Sequence, residues 1–288
     1  MAKIKIVTDS SVQLTPEEVK EHDITIIPLT VEINGESYID GETITRQKLV
    51  EELKKGNKPK TSRPPVGKFI DAFDRLGADG SQVVAITITD VLSGTYETAV
   101  AAARMSKTDV AVINSKMTDR GLSFQVLKAA EDAEAGKSVE EIKKDCKDVY
   151  SRTTCDVLID NLDNLLSGGR LAKWANMLTK LINLKIIVRL RENSLDIVKK
   201  GRSHKAFYKY LKEIQKDHEN NPIVELSLSN VDSSKEYLEK IKEAVLPANS
   251  KDAIYIARLT SPIIMTHTGL NSVGVITLTE KPEVPANR

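Results

Sequence analysis

The alternation of apolar and polar positions divides the first half of the chain into short strands joined by helices. Runs typical of strands occur at Lys3–Thr8, Ile24–Ile33, Gln82–Thr89 and Asp109–Asn114. Segments with helical spacing or caps occur at Thr45–Lys55, Thr95–Met105, Arg120–Ala135 and Val139–Tyr150. Strands that are joined through helices predict a mostly parallel sheet that is covered on both faces.

Two turn signals refine this pattern. Asn34-Gly35 closes the second run and is typical of a hairpin. The segment Pro59–Pro65 is predicted to be a loop, because its adjacent prolines lack amide donors and push their neighbours out of the helical region.

The second half has a different pattern, with a hairpin predicted from Ile186–Arg191 and Leu195–Lys199. Further strands are predicted at Ile223–Ser229, Ala253–Arg258 and Val273–Leu278, and helices at Ser203–Asp217 and Ser233–Val245. The sequence therefore predicts an α/β protein of two domains: an N-terminal α/β domain at residues 1–153 and a C-terminal mixed α+β domain at 154–282. A tail follows at 283–288.

Composition excludes several classes of protein. The 288 residues carry a net charge of +1, so no global field attracts nucleic acid, and nucleic acid is not an expected partner. The N-terminus lacks the apolar run of a secretory signal, and no apolar stretch is long enough to span a bilayer. Cys146 and Cys155 fit two reduced thiols better than a disulfide or a metal site. A cytoplasmic location is expected.

Three turns rich in hydroxyl groups stand where strands end and helices begin: Thr8-Asp9-Ser10-Ser11, Thr61-Ser62-Arg63-Pro64-Pro65 and Ser93-Gly94-Thr95-Tyr96. Each one alone is typical of an ordinary helix cap. The carboxyl ends of parallel strands meet at one edge of a sheet, where free helix amides favour anions. Together, the three turns therefore favour an anion-binding site.

Thr266-His267-Thr268-Gly269 is predicted to lie in the loop before the last strand, where the imidazole can donate a hydrogen bond to a carboxylate or phosphate. The other histidines, His22, His204 and His218, are expected to face solvent. The glycine-rich turn that ends in Arg170-Leu171 is expected to enter a helix. The basic turn around Arg202 fits either a solvated turn or a surface for an acidic partner.

Signatures of common enzymes and of metal sites are missing. Gly136-Lys137-Ser138 resembles the end of a phosphate-binding P-loop, but Glu131 occupies the position of its first glycine. Val91 occupies the position of the first glycine in the nucleophile elbow that Ser93 would need. No metal site and no cofactor are expected.

The motifs T-D-S-S, T-S-x-P, S-G-T-Y, S-G-G-R and H-T-G, taken in this order, resemble the DegV family of fatty-acid-binding proteins along essentially the whole chain. Some members, called FakB, are the lipid-carrying subunit of a bacterial fatty acid kinase. The resemblance implies two domains with one long-chain fatty acid between them, and a non-catalytic role in which a partner kinase phosphorylates the carboxylate to an acyl phosphate for phospholipid synthesis. It leaves room for transient contact with a membrane.

The resemblance also assigns residues. Those implied for the carboxylate are Thr61, Ser62, Ser93, Gly94, Thr95, His267 and Thr268. Asp9, Ser10 and Ser11 are implied as supporting residues, and Arg170 and Arg202 as residues for work with the kinase. Because only 4% of the residues are aromatic, the tunnel for the acyl chain is expected to be aliphatic.

The chain departs from the family pattern at two places. Pro65 stands where the T-S-Q-P-S loop often ends in serine, and Leu270-Asn271 replaces the Pro-Gly of H-T-G-P-G. Both changes are expected to affect fine specificity rather than the class of ligand. Two other functions stay open: a hydrolase or acyl-transferase with Ser93 as nucleophile, His267 as base and Asp9 as orienting group, and a lipid sensor that works without a kinase.

Overall fold

The chain has an α/β fold, and its computed structural model describes residues 3–170 and 184–282. Leu171, with the helix predicted to follow Arg170, and the predicted tail at 283–288 lie outside the described residues. The ten described α-helices are α1 Pro16–Glu21, α2 Arg46–Lys54, α3 Val66–Gly77, α4 Thr95–Met105, α5 Asp119–Glu134, α6 Val139–Ser151, α7 Asp163–Ser167, α8 Lys205–Asp217, α9 Lys235–Val245 and α10 Pro262–Thr268. Short 3₁₀ turns occur at His218–Asn220 and Ala248–Ser250.

The first sheet is parallel, as the sequence predicts. Its order is β2-β1-β6-β7, formed by β1 Ile4–Asp9, β2 Thr25–Ile27, β6 Gln82–Thr87 and β7 Val110–Asn114. Apolar residues of α3 and α4 pack against one face, and those of α5 and α6 against the other. Burying both faces explains why the strands read as continuous apolar runs.

A small antiparallel sheet, ordered β4-β3-β5, corrects two predictions. It contains β3 Thr30–Ile33, β4 Glu36–Ile39 and β5 Lys60–Ser62. The predicted run Ile24–Ile33 is divided between two sheets, because Pro28 follows β2 and cannot donate to a ladder. The predicted loop at 59–65 contains β5, whose Thr61 pairs with Val31. The hairpin turn is confirmed, and both Asn34 and Gly35 have positive φ.

The third sheet is mixed and has the order β10-β9-β8-β13-β11-β12. Its strands are β8 Thr153–Ile159, β9 Lys185–Arg191, β10 Ser194–Gly201, β11 Ile223–Asn230, β12 Ile254–Leu259 and β13 Val273–Thr279. Only β11 and β12 pair in parallel. The predicted hairpin is confirmed, whereas β8, a central strand, was not predicted. The boundary predicted between residues 153 and 154 falls at the start of β8, and that division remains a prediction.

The histidines outside the H-T-G motif do not simply face solvent. His218 is buried, and burial lowers the pKa of its imidazole. The His204 ring lies between Phe207 and Tyr237, and its Nε2 is 2.5 Å from an oxygen of Asp160. Helical spacing did not show the surroundings of His204, because Asp160 and Tyr237 lie on other segments, although Phe207 is only three positions away.

Candidate functional site

His267 lies on a helix, which corrects the predicted loop. α10 begins after Ser261, whose hydroxyl accepts a hydrogen bond from the Ile264 amide, and has Pro262 at its first position. It ends at Gly269, which has a φ of 75°. A capping serine, a proline and a closing glycine are ordinary helix signals, but α10 has only seven residues. The helix fixes the direction of the imidazole more firmly than a loop would.

Thr61 and His267 meet although they are 206 positions apart in the chain. Thr61 Oγ1 on β5 and His267 Nε2 on α10 are 2.8 Å apart. Burial, with a smaller effect of the Arg170 charge, lowers the imidazole pKa to about 3. The ring is therefore neutral at physiological pH, with one N–H donor and one acceptor nitrogen. Its Nδ1 is buried and has no hydrogen-bond partner among the described residues.

Ser93 and Thr95 form a second group of hydroxyls at the start of α4. Their hydroxyl oxygens are 2.8 Å apart, and Thr95 is fully buried. Gly94 is the N-cap residue and supplies no side-chain cap, so first-turn amides of α4 remain without that partner. This end of the helix offers donors and a positive dipole end to an anion.

Two arginines contact the backbone on either side of Ser93. Arg170 Nε donates to the Leu92 carbonyl at 3.2 Å, and Arg63 Nη1 lies 3.5 Å from the Gly94 carbonyl oxygen. No carboxylate among the described residues pairs with Arg170, and burial lowers its pKa. Arg63 belongs to one of the predicted hydroxyl-rich turns, but its position in the wall of the site was not predicted.

These groups surround one end of a cavity of about 730 Å³, part of which is open to solvent. Thr61, Ser62, Ser93, His267 and Thr268 line the cavity, together with both arginines. Most of the remaining wall is aliphatic: Leu29, Ile88, Ile159, Leu165, Val188, Leu190, Leu195 and Ile263. Among the described residues no Phe, Tyr or Trp lines it, in agreement with the predicted aliphatic tunnel. The cavity joins a polar end to a hydrocarbon-like interior.

Two of the remaining predicted residues, Thr268 and Arg202, offer no free donor to this polar end. The Thr268 hydroxyl already donates to the Ile264 carbonyl at 3.0 Å. Arg202 is exposed, directly after β10, and does not line the cavity. Thr268 thus lines the cavity, but its hydroxyl is not a free donor for a ligand.

Asp9, Ser10 and Ser11 lie beneath the cavity wall. The Asp9 carboxylate accepts hydrogen bonds from the amides of Ser11 at 2.9 Å and Ile88 at 2.7 Å. The Ser10 hydroxyl accepts one from the Leu29 amide at 3.0 Å. Because Leu29 and Ile88 line the cavity, Asp9 and Ser10 hold two wall residues in place. The Ser11 hydroxyl has no partner among the described residues.

Asp40 also holds the wall residue Leu29, and its carboxyl is titratable. Replacement of Asp40 by asparagine is expected to remove a pH dependence of the free energy of unfolding. Its amide donates to the Leu29 carbonyl, and burial raises the pKa of its carboxyl to about 7. The folded chain then keeps a proton that the unfolded chain loses above about pH 4, so stability falls as pH rises towards 7. Between pH 5 and pH 8 this loss should be on the order of 2 kcal/mol.

Urea denaturation of the wild type and of Asp40→Asn at the two pH values measures the effect. All other titrating groups are common to both proteins, so the difference between their pH slopes isolates Asp40. Equal slopes would show that Asp40 has an ordinary pKa in the folded chain.

Gly168 packs against the His267 imidazole, a contact that the sequence does not predict. It caps α7, and a Cβ built on it would lie 2.2 Å from His267 Nδ1. Asn164 of α7 also donates to the Thr266 carbonyl at 3.2 Å and lies against Gly269. No local sequence pattern predicts these contacts, because they depend on how α7 packs against α10.

Gly168→Ala is expected to displace the imidazole and to separate it from Thr61. A lost hydrogen bond to a charged group costs about 1.5–3 kcal/mol, so the affinity for an anionic ligand at this end should fall at least about tenfold. Isothermal titration with a long-chain carboxylate measures the change. Gly67→Ala on α3, where a Cβ meets nothing within 4 Å, should bind as the wild type does. Unchanged affinity in Gly168→Ala would contradict the contact.

Two further classes of site are absent from the part of the chain that the structure describes. None of its helices is long and apolar enough to cross a membrane. No group of three or more His, Cys, Asp or Glu residues there could hold a metal ion.

The sequence matches a known family over nearly its whole length. A model described as an uncharacterised protein of the DegV family matches residues 3–280. A DegV domain-containing protein of Streptococcus pneumoniae is 38% identical over 277 residues, which cover 96% of this chain and 98% of that protein. YejH of Lactococcus lactis, a DegV domain-containing protein, is 35% identical and covers 92% and 95% of the two chains.

Solved structures share the fold. DegV of Bacillus subtilis, a fatty acid binding protein, superposes with a TM-score of 0.85 at 26% identity, covering 97% of this chain and 100% of that chain. A stearic acid-binding protein of Eubacterium ventriosum has a TM-score of 0.82 at 25% identity, with coverage of 97% and 99%. By the extent of the family match and the identity to these relatives, this chain belongs to the DegV family.

Proposed function

We propose that this protein carries one long-chain fatty acid and presents its carboxylate to a partner kinase. The observation that carries the proposal is the cavity itself, which has hydroxyl groups, a neutral imidazole and two arginines at one end and aliphatic walls beyond them. Fatty-acid binding by DegV of Bacillus subtilis and by the stearic acid-binding protein of Eubacterium ventriosum supports the same class of ligand.

The hydrocarbon chain supplies most of the binding free energy. Burial of a methylene group is worth about 0.8 kcal/mol, so a sixteen-carbon chain gains roughly 10 kcal/mol before ordering costs. Tight binding therefore needs no strong charge at the polar end. The aliphatic wall suits this ligand and would contribute little binding free energy to a polar metabolite.

The polar end has to satisfy the carboxylate once it leaves bulk water. With the proton on Nε2, the His267 imidazole donates to Thr61 Oγ1, and the Thr61 hydroxyl proton is free for a carboxylate oxygen. Ser93 or Thr95 supplies a second hydroxyl donor from the start of α4, where the Gly94 turn leaves amides available. Ser62 lies at the exposed side of the same cavity.

Arg170 and Arg63 contact backbone carbonyls at this end, so the proposed contacts to the carboxylate come from neutral hydroxyls, which leave it able to react. In the proposed transfer, a carboxylate oxygen attacks the terminal phosphorus of a nucleoside triphosphate bound to the kinase. The bond from that phosphorus to the bridging oxygen breaks, giving an acyl phosphate and a nucleoside diphosphate for the kinase to release. The acyl phosphate would feed phospholipid synthesis.

Two arginines are assigned to the encounter with the kinase. Arg170 lines the cavity beside Ser93 and pairs with no carboxylate among the described residues, so it can face the incoming phosphate. Arg202 is exposed on the turn after β10 and can contact an acidic surface of the kinase. A cytoplasmic location, where the kinase finds its nucleotide, and transient contact with a membrane are part of the same proposal.

The hydrolase alternative lacks its geometry. The Asp9 carboxylate accepts from the amides of Ser11 and Ile88, and His267 Nδ1 has no partner among the described residues, so Asp9 does not orient the imidazole. The depressed pKa of His267 also makes it a weak general base near pH 7. No observation favours the lipid sensor over the carrier; capture of a kinase from cell extract would distinguish them.

Native mass spectrometry of the purified protein, followed by organic extraction, tests the proposal. The expected result is one fatty acid per chain, released on denaturation. A protein that is empty and also fails to take up added long-chain fatty acids would refute the carrier function.

A further inference from the structure

One helix that covers the six-stranded sheet carries a row of lysines. Four residues of α8, spaced four, three and four positions apart, are exposed: Lys205, Lys209, Lys212 and Lys216. That spacing places them on one face of the helix, opposite the buried Phe207, Leu211 and Ile214. Together with the exposed Arg202 on the preceding turn they form the basic stripe, which extends about 16 Å from Lys205 to Lys216 at 1.5 Å per residue.

The protein does not neutralise the basic stripe itself. Among the residues that the structure describes, none of these five cations forms a salt bridge. Glu213, the carboxylate next to Lys212 in the sequence, lies 3.4 Å from Lys199 instead. By contrast, α9 pairs Lys240 with Glu236 at 2.6 Å. The basic stripe therefore presents uncompensated positive charge, although the whole chain has a net charge of only +1.

This arrangement destabilises α8. Like charges three or four positions apart on a helix repel each other, and a cation in the first turn opposes the positive end of the helix dipole. Lys205 is the first residue of α8, whose first turn has no acidic residue and whose N-cap, His204, gives no side-chain cap. Local rules that are broken without a local gain are typical of functional surfaces. A bound acidic surface would remove both penalties.

The basic stripe begins at the edge of the six-stranded sheet that carries the polar end of the cavity. Ile159 of β8 pairs with Ile186 of β9, and Ile186 pairs with Lys200 of β10. The turns that follow β8 and β10 therefore lie at the same edge. The turn after β8 leads into α7, whose cap Gly168 abuts the His267 imidazole.

A contact between these two turns fixes the start of the basic stripe. His204 follows Arg202 by two positions, and its Nε2 is 2.5 Å from an oxygen of Asp160, the residue directly after β8. The His204 ring also stacks on Phe207 and Tyr237. Arg202 and the first turn of α8 are thus held in place relative to α7.

From that edge α8 crosses the face of the sheet opposite the cavity. Leu158 and Ile187 pack with apolar residues of α8, whereas their neighbours Val157 and Val188 line the cavity. Successive residues of a strand point to opposite faces, so the sheet separates the basic stripe from the cavity. A partner that lies along the stripe leaves the cavity wall untouched and reaches the polar end around the edge of the sheet.

We propose that the basic stripe is the docking surface for an acidic face of the partner kinase, and that its charge steers the carrier to the enzyme. The inference rests on the proposed function. Attraction of this kind speeds association and weakens as salt is added. A protein fits better than a lipid bilayer, because α8, which the structure describes completely, exposes no large apolar residue for insertion.

Charge reversal in the middle of the basic stripe tests the docking surface. In Lys209→Glu combined with Lys212→Glu, the KM of the kinase for the carrier loaded with fatty acid should rise about tenfold or more at low ionic strength, with kcat unchanged. The difference from the wild type should shrink as salt screens the charges. The matched control is Lys144→Glu combined with Lys147→Glu, two exposed positions of α6, and it should keep the wild-type KM.

Lys209→Gln combined with Lys212→Gln decides the matter if the reversed variant does not fold, and should raise KM by a smaller factor. The fatty acid bound per chain should be equal in all variants, because the sheet separates the stripe from the cavity. An unchanged KM in the stripe variants would overturn the docking surface while the carrier function stands. Loss of cosedimentation with vesicles of phosphatidylglycerol and phosphatidylcholine at unchanged KM would overturn it in favour of a lipid surface. A wild type that binds fatty acid but is not phosphorylated would refute the kinase step itself.

Discussion

Replacing Ser93 and His267 together with alanine is expected to abolish phosphorylation of the bound fatty acid while the fold stays intact. The pair supplies a hydroxyl at the start of α4 and the imidazole that bonds to Thr61. Hydrogen bonds to a charged group are worth about 1.5–3 kcal/mol each, so affinity should fall by roughly 100-fold or more. Part of the binding should survive, because the aliphatic wall is unchanged.

Phosphorylation should fall further than binding does. A carboxylate that its donors no longer hold has no fixed direction towards the phosphate, and misplacement by about 1 Å can cost 100-fold in rate. The measurement compares fatty acid bound per chain with acyl phosphate formed by the partner kinase at saturating fatty acid.

A control with the same two types of substitution is His22→Ala combined with Ser151→Ala. His22 pairs with Glu134, and the Ser151 hydroxyl at the end of α6 donates to the Asp148 carbonyl, both outside the cavity. This control should be phosphorylated as the wild type is. Full phosphorylation of the Ser93 and His267 double variant would contradict the proposed role of the polar end.

Local signals in the sequence account for the parts of the fold that could be predicted. The parallel strands are apolar runs followed by capped helices, and a strand that is buried on both faces has to read that way. The turns at Ser10 and Ser93 could be placed because they directly follow such strands. Ser93 lines the cavity, and Ser10 holds its wall residue Leu29; that the two turns meet at one edge of the sheet follows from the parallel pairing of β1 and β6.

Contacts between distant segments account for what the sequence did not show. β8 reads Thr-Thr-Cys-Asp-Val-Leu-Ile and has a charged Asp156 near its middle. Arg189 of β9 makes two hydrogen bonds with that carboxylate, and the Tyr210 hydroxyl donates a third. The strand thus depends on a partner that lies 33 positions away.

α10 illustrates a different difficulty. It carries ordinary helix signals, but a helix of seven residues has little stability of its own. Packing against α7 and against the three-stranded sheet keeps it folded. The same packing brings His267 to Thr61 and Gly168, so neither contact can be derived from local pattern.

Removing the positive charge of Arg120 is expected to give the largest loss of stability from a single substitution. Arg120 of α5 is 3% exposed, and its Nε donates to Glu225 of β11 at 2.6 Å. Its Nη1 donates to Glu18 of α1 at 2.9 Å. Arg120→Met leaves the Glu225 carboxylate buried without its cation, which typically costs about 3–5 kcal/mol. Urea denaturation at pH 7 measures the free energy of unfolding.

Two further variants separate charge from packing. Arg120→Met combined with Glu225→Leu removes both charges of the buried pair, and should recover most of the loss because an apolar pair needs no compensation. Lys240→Met, which breaks an exposed pair with Glu236 on α9, should leave stability close to that of the wild type. If the double variant is as unstable as Arg120→Met alone, the loss comes from packing around the arginine stem. A recovery of the free energy of unfolding would show that the loss in Arg120→Met comes from the unmatched charge of Glu225. The contact of α5 with β11, and with it the contact between the parallel sheet and the mixed sheet, would then depend on matching that charge.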